Sequence, residues 1–458
     1  MNKRIYYKGV ATLTVAAASF GLIWAKGGSA TPQVTVALPV SAPAAPATAT
    51  PADVVTPLPP EAAGAVPPDT DTRVAVAIGG KDGAPVAAMP PVPAGEPAPP
   101  PEVAAAPIAM LVDLESGRVL YARDADRSFL PASVTKTMTA FVAFELMAQG
   151  KLSPDRQIRV SDEAWKEWHT KGSRMFLERA STPTVDQLLM GILNVSANDG
   201  AVVLAEGVGG SVPGWVAMMN ACARRLGMTE SHFGTPNGWM DKGHTFVSAR
   251  DMVKLATAML TRYPQYYHRY VGRPGLTWNG ITQANHDPTL GIVPGADGIK
   301  TGFTGEAHYN FLGSAERDGR RLVMVLASVP TPRERTQAAR ALLEWGFKAW
   351  SGQTLVHAGA PLGEARVQGG VAPRVALVAP RAYGATVPRG TSEPVTMRIV
   401  YRGPLMAPIA KGTPVAELEI RVGNSVPSRM PLLAGADVPQ GGTMDRLRTG
   451  LARLFARG

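Results

Sequence analysis

A chain of 458 residues with a formal charge of +10 exceeds one ordinary domain, and its composition divides it before any motif is consulted. The basic balance would suit nucleic acid, but the chain opens on an export signal, so no nucleic-acid partner is expected and an anionic envelope surface fits better. Seven histidines without H-E-x-x-H or paired-cysteine spacing argue against a zinc site, and a single cysteine, Cys222, excludes an intramolecular disulfide.

Residues 1–30 read as a signal peptide. Lys3, Arg4 and Lys8 form a basic start, the run 10–25 is apolar and uncharged, and Gly28-Ser29-Ala30 offers small residues suited to cleavage. The alternative is an uncleaved anchor, but the run is shorter than the ~20 residues of a spanning helix. Residues 31–106 hold nearly half of all the prolines and read as a disordered spacer, serving either as reach toward a wall or as an unselected tail.

A catalytic unit is expected over 107–352. Strand-like runs at 108–114 and 118–123 flank Glu115-Ser116-Gly117, a hairpin turn. Pro131 marks a helix start, with Val134, Met138, Phe141, Val142 and Leu146 forming an apolar face up to Gly150, so Ser133 falls in the first helical turn. Further helices are expected at 185–206, 214–227 and 249–262. The second carries Trp215, Met218, Met219, Cys222 and Leu226 at helical spacing, which makes Cys222 a core thiol. The glycines around 207–214 lack a complete G-x-G-x-x-G pattern and read as a loop. Strands at 310–315 and 322–328 flank a turn, and a last helix covers 333–350. An early hairpin, a helical block and late strands imply one antiparallel sheet built from both ends of the unit, with helices around it, an α+β architecture. Short β-rich runs over 353–440 imply a small, separate β-sandwich-like domain. Within 441–458, Leu447, Leu451, Leu454 and Phe455 share one helical face, with Arg446, Arg448, Arg453 and Arg457 elsewhere. This basic amphipathic helix reads as a membrane-surface anchor; a helix docked on its own protein, or a frayed tail, is the plainer reading.

Three strings stand in order along the catalytic unit: Ser133-Val134-Thr135-Lys136, Ser196-Ala197-Asn198 and Lys300-Thr301-Gly302. On a helix, three-residue spacing puts the Ser133 hydroxyl and the Lys136 amine on one face. A serine hydroxyl is a poor nucleophile until a base takes its proton, and a lysine serves if its surroundings disfavour the charged form. Lys300 in the same cleft would repel that charge and offer its own to a substrate carboxylate, to which Thr301 would add a hydroxyl. Ser196 would relay a proton to the leaving amine, Asn198 would hydrogen-bond a substrate amide, and Gly302 would leave room for a substrate backbone. Backbone N–H groups of Ser133 and Phe303 are the candidate oxyanion donors. Each string alone has a bland reading as a solvated lysine, a helix cap or a strand end; their order is the signal.

At these residues the chain resembles the low-molecular-weight penicillin-binding proteins, the serine-type D-alanyl-D-alanine carboxypeptidases. Pro131-Ala132-Ser133, Met175-Phe176-Leu177, Asn198-Asp199, the string 248–252, the string 297–302 and Trp345-Gly346-Phe347 carry the likeness, which spans about 107–458. It implies a serine β-lactamase/penicillin-binding-protein-like fold, no cofactor and no metal, and attack of Ser133 on the D-Ala-D-Ala bond of peptidoglycan stem peptides, with β-lactams acylating the same serine. It further implies a periplasmic place on the outer face of the cytoplasmic membrane. Where some relatives carry a histidine, this chain reads Thr235-Pro236-Asn237-Gly238; Arg333 or Arg335 is a candidate for carboxylate binding. The alternatives are a serine β-lactamase, for which no E-x-x-L-N string follows Thr229, a D,D-endopeptidase, and a non-catalytic envelope-binding protein.

Overall fold

The computed structural model describes residues 33–36, 92 and 94–442. The expected signal peptide, most of the expected spacer and the helix expected at the terminus, from 443 onward, lie outside the described residues.

The catalytic sheet has five antiparallel strands in the order β3-β2-β8-β7-β6. Strand β1 (Gln33–Val36) lies elsewhere; β2 (Ile108–Asp113) and β3 (Val119–Arg123) are the early hairpin. Strands β4 (Gly275–Trp278) and β5 (Ile281–Ala284) form a side ribbon, and β6 (Ala296–Thr304), β7 (His308–Arg317) and β8 (Arg320–Val329) complete the sheet. As expected, the sheet is closed from both ends of the unit, β2 pairing with β8 from Ile108↔Ala327 to Asp113↔Leu322. Every residue of β2 is buried, because helices cover both sheet faces.

On one face stand α1 (Lys136–Ala148), α2 (Asp162–Trp168), α3 (Val185–Asn194), α4 (Asn198–Gly209), α5 (Val212–Arg225), α6 (Ala249–Arg262) and α7 (Pro264–Tyr270), which share one large core with the sheet. On the other face α8 (Pro332–Lys348) packs Ala338, Leu342 and Leu343 against Leu111, Phe311 and Leu326. Local chemistry fixes the helix starts. Thr184 and Gln187 close a capping box on α3, Thr331 caps α8 with Pro332 in its first turn, and Ser248 caps α6. Cys222 is a core thiol as expected. It donates to the Glu145 carboxylate at 3.1 Å, and burial pushes it up to about 12, so it stays an inert thiol.

Three local expectations change; the glycines around 207–214, read as a loop, lie mostly within α4 and α5, with only 210–211 between the two helices. The helix expected over 185–206 is two helices, broken at 195–197 where Ser196 adopts φ +62°. Leu193, Val195, Ala197 and Ala201 are all buried, so the apolar pattern runs through the break and conceals it. Ser133 lies in a 3-10 turn, Ala132–Thr135, just ahead of α1.

The C-terminal region forms the expected β domain from β9 (Trp350–Val356), β10 (Pro361–Gln368), β11 (Arg374–Val378), β12 (Tyr383–Pro388), β13 (Val395–Val400), β14 (Leu405–Met406), β15 (Pro414–Val422) and β16 (Ser428–Ala434). Leu377, Ile399, Leu418, Ile420 and Leu432 form its core. Strand β1, within the expected spacer, joins this sheet at its edge as the antiparallel partner of β13; Val34-Thr35-Val36 is β-branched throughout. The end of the expected spacer is also folded: residues 101–105 form a 3-10 helix with Val103 buried, and Glu96 pairs with Arg118 at 2.6 Å. A buried network joins the two domains. Asp113 accepts from Arg320 and from Thr386 Oγ1 at 2.9 Å, and Arg320 Nη1 donates to the Trp350 carbonyl at 3.0 Å. Strands β2 and β8 of the catalytic sheet are thereby fastened to β9 and β12.

Candidate active site

The Ser133 turn is held from two sides by glycines that no other residue would replace without movement. A Cβ on Gly302 of β6 would stand 2.4 Å from the Pro131 carbonyl oxygen and 3.0 Å from the Val134 nitrogen. One on Gly238, at φ +73°, would stand 1.8 Å from the Ala132 carbonyl oxygen. The space expected at Gly302 for a substrate backbone is thus taken on its Cα side by the chain's own turn. In consequence β6 and the serine turn touch.

Lys136, the first residue of α1, is fully buried. Its Nζ lies 2.8 Å from Ser133 Oγ, 2.7 Å from Asn198 Oδ1 and 2.8 Å from the Asn237 carbonyl oxygen. An amide oxygen and a carbonyl oxygen only accept. A neutral amine has two N–H groups and one lone pair, so those two oxygens take both N–H groups and the lone pair is left facing the Ser133 hydroxyl. Burial holds the Lys136 amine well below the ordinary lysine range, the charge on Lys300 lowers it further, and Asp199 opposes both.

Lys300, on β6, is likewise buried, and burial with the nearby Arg335 guanidinium brings it down to about 7 against the pull of Asp287. Thr301 and Gly302 are buried beside it, while Phe303 is 53 % exposed and stacks on Tyr309 at 4.2 Å between ring centres. Ser196 is buried in its left-handed conformation. Asn198 has its Oδ1 committed to Lys136, and its Nδ2 donates one of its two N–H groups to the Lys171 carbonyl at 3.3 Å. The structure therefore brings Ser133, Lys136, Asn198 and the 300–302 strand to one cleft wall. A shallow concavity opens beside the serine turn, lined by Pro131, Ala132, Trp239, Asp241 and Glu306 among others.

Sequence reasoning missed Asn237, whose contribution is a backbone carbonyl that no side-chain pattern announces. It left Arg333 and Arg335 undecided. Arg333 is exposed, whereas the Arg335 guanidinium lies 5.9 Å from the Tyr309 ring with its Nε buried and unpartnered, close enough to Lys300 to lower it. Of the two, Arg335 is therefore the arginine that lies near Lys300.

An activated serine beside a desolvated lysine, on an antiparallel sheet with helices on both faces, defines a serine acyl-transfer enzyme of the penicillin-binding class. The D-alanyl-D-alanine carboxypeptidase family, peptidase S11, matches residues 95–331, and the C-terminal domain of penicillin-binding protein 5 matches 350–440. The chain belongs to this carboxypeptidase family. It is 33 % identical over 347 residues to the D-alanyl-D-alanine carboxypeptidase DacD of Salmonella typhimurium, covering 74 % of this chain and 87 % of that one. To DacA of Haemophilus influenzae it is 32 % identical, covering 74 % and 86 %. Among solved structures, penicillin binding protein 5 from Haemophilus influenzae superposes with a TM-score of 0.62 at 31 % identity, covering 73 % of this chain and 98 % of that one. Penicillin binding protein 6B from Escherichia coli gives 0.58 at 28 %, covering 75 % and 99 %. The chain is a low-molecular-weight penicillin-binding protein, an enzyme of the bacterial cell envelope.

Replacing Gly238 by Ala tests the packing of the serine turn. The left-handed φ alone costs about 1–3 kcal/mol, and the added carbon must displace Ala132 next to the nucleophile. Gly238→Ala is expected to lower the unfolding midpoint and to slow reaction of Ser133 together, measured by thermal denaturation and by acylation with a penicillin.

Proposed function

We propose that the chain removes the terminal D-alanine from peptidoglycan stem pentapeptides through an acyl-enzyme on Ser133. The observation that carries this is the 2.8 Å contact between Ser133 Oγ and the buried Lys136 amine, backed by family membership.

In the first half-reaction Ser133 Oγ attacks the carbonyl carbon of the penultimate D-alanine while its proton passes to the Lys136 lone pair. The resulting oxyanion is met by the backbone N–H groups of Ser133 and Phe303. Collapse breaks the C–N bond; the departing amine of D-alanine takes the proton from Lys136, with Ser196 as the relay. The terminal carboxylate sits against Lys300, the Thr301 hydroxyl and Arg335, which are cationic or donor groups at one end of the cleft. Asn198 keeps the amine of Lys136 oriented through its Oδ1, and the Nδ2 N–H not given to Lys171 is left to hydrogen-bond the substrate amide. Water then attacks the Ser133 ester, Lys136 taking its proton and passing it to Ser133 Oγ as the C–O bond breaks, which frees the shortened peptide and restores the serine. β-Lactams enter the same path as substrate mimics and acylate Ser133.

The reaction takes place outside the cytoplasm. We place the enzyme on the outer face of the cytoplasmic membrane, exported by the segment 1–30 and held by the basic amphipathic segment that follows Gly442; anionic lipid suits its four arginines.

The direct test is release of D-alanine from a pentapeptide muropeptide by the purified protein. The wild type is expected to give a tetrapeptide product, and Ser133→Ala to lose about 10³-fold or more of the rate with the fold unchanged; turnover retained by pure mutant protein removes Ser133 as nucleophile. Deleting 443–458 is expected to move the protein from membrane to soluble fractions while leaving its rate on soluble peptide unchanged. A truncated, signal-cleaved form that still sediments with membranes would discard the terminal anchor.

A further inference from the structure

The carboxylate beside Asn198 has no part in the steps above. Asp199, the residue after Asn198, is buried, and burial raises its carboxyl above the usual range despite three backbone donors. Its Oδ1 accepts from the Met175 N–H at 3.0 Å and the Gly200 N–H at 2.9 Å, and its Oδ2 accepts from the Leu177 N–H at 3.1 Å. The same loop returns two bonds to Asn198, whose N–H donates to the Ser173 carbonyl at 2.8 Å and whose Nδ2 donates to that of Lys171. Four hydrogen bonds thus stitch the 171–177 segment to the first turn of α4.

The loop is shaped to receive that grip. Phe176, between the two gripped amides, has φ +61°, so both N–H groups turn toward one carboxylate. Met175 is fully buried in a notch made by two glycines: a Cβ on Gly191 would stand 2.6 Å from its sulfur, and one on Gly200 3.2 Å. Gly172, at φ +60°, lets the chain pass so close to Asn198 that a Cβ would stand 2.7 Å from Asn198 Nδ2. Only a carboxylate offers two acceptor oxygens here; an amide would present one N–H to an N–H.

We propose that Asp199 is a positioning residue for catalysis: it clamps the 171–177 segment onto α4 and thereby fixes the Asn198 carboxamide that aims the Lys136 amine at Ser133. The inference rests on the carboxypeptidase reading for its consequence, and on the Asp199 hydrogen bonds for its geometry. It accounts for Met175-Phe176-Leu177 and Asn198-Asp199 as two halves of one device, linked across 22 to 24 residues of sequence.

The charges facing Lys136 are Lys300 and Asp199, so the two functions of the clamp, position and charge, separate in a pair of variants. In Asp199→Asn the Met175 and Leu177 amides are expected to exchange at least about tenfold faster. Acylation by benzylpenicillin is expected to fall by about 10- to 100-fold, and the acid limb of its pH profile to move to lower pH, because Lys136 loses the anion that favours its charged form. Gly172→Ala displaces the same loop with the carboxylate intact; it is expected to speed exchange and slow acylation with the acid limb where the wild type has it. A folded Asp199→Asn protein acylated within about twofold of wild type, its acid limb unmoved, overturns the proposal. So does wild-type protein whose Met175 and Leu177 amides exchange as fast as exposed ones, a result that needs no variant to fold. The exchange arm is independent of turnover: wild type that benzylpenicillin fails to acylate would remove the carboxypeptidase reading, while exchange still decides the clamp.

Discussion

Removing the Lys136 ammonium from water is the constraint around which the catalytic unit is organised. A buried charge without full pairing is costly, and the group escapes the cost by giving up its proton. Here no carboxylate touches the amine; its partners are an amide oxygen, a carbonyl oxygen and the serine hydroxyl. That choice of neutral partners decides the chemistry, since an ion pair in the same place would have kept the lysine charged and the serine inert. Four segments meet to supply it: the 3-10 turn with α1, the first turn of α4, the 235–238 loop and, through its charge, β6. Lys300 reinforces the effect through its charge, while burial and Arg335 bring its own amine down to about 7, so that a bound carboxylate would favour its charged form.

Three of the non-glycine residues with left-handed φ among those described lie around this site. Ala132 at φ +48°, Ser196 at φ +62° and Phe176 at φ +61° are left-handed residues without the freedom of glycine, and each sits next to a group that faces the cleft. Such conformations persist where the surroundings over-determine them. The surroundings here are the sheet and the α1–α3–α4 core, in which Phe141, Ile192 and Leu204 are wholly enclosed. The second domain meets the catalytic sheet through Asp113, Arg320 and Thr386, on β2, β8 and β12, none of which contributes to the cleft, so its attachment leaves the cleft free.

The three motifs were legible because catalysis needs side chains of fixed type at short spacing, and Ser133, Lys136, Asn198 and Lys300 do converge. The hairpin and the late strands followed from strand-like runs and the turns between them. What escaped has physical reasons. The break between α3 and α4 is invisible to periodicity because Val195 and Ala197 are buried like helix residues. Asn237 acts through its carbonyl, which every residue possesses. Arg335 and Arg333 are two residues apart, and only the placement of α8 turns one inward. Strand β1 sits in a Pro/Ala-rich stretch whose composition outweighed three β-branched residues. Asn198 bonds Lys136, a partner 62 residues away, a contact that local spacing does not announce.

The account turns on Lys136 being a neutral base before substrate arrives. Its most direct measurement is the titration of the Lys136 Nζ, followed by nitrogen NMR on lysine-labelled protein with Lys136→Arg as the assignment control. An amine that loses its proton well below the ordinary lysine value of about 10.4, in step with the rise of Ser133 acylation with pH, is the predicted result. An amine that stays protonated up to that value while Ser133 acylates at full rate at neutral pH would contradict it.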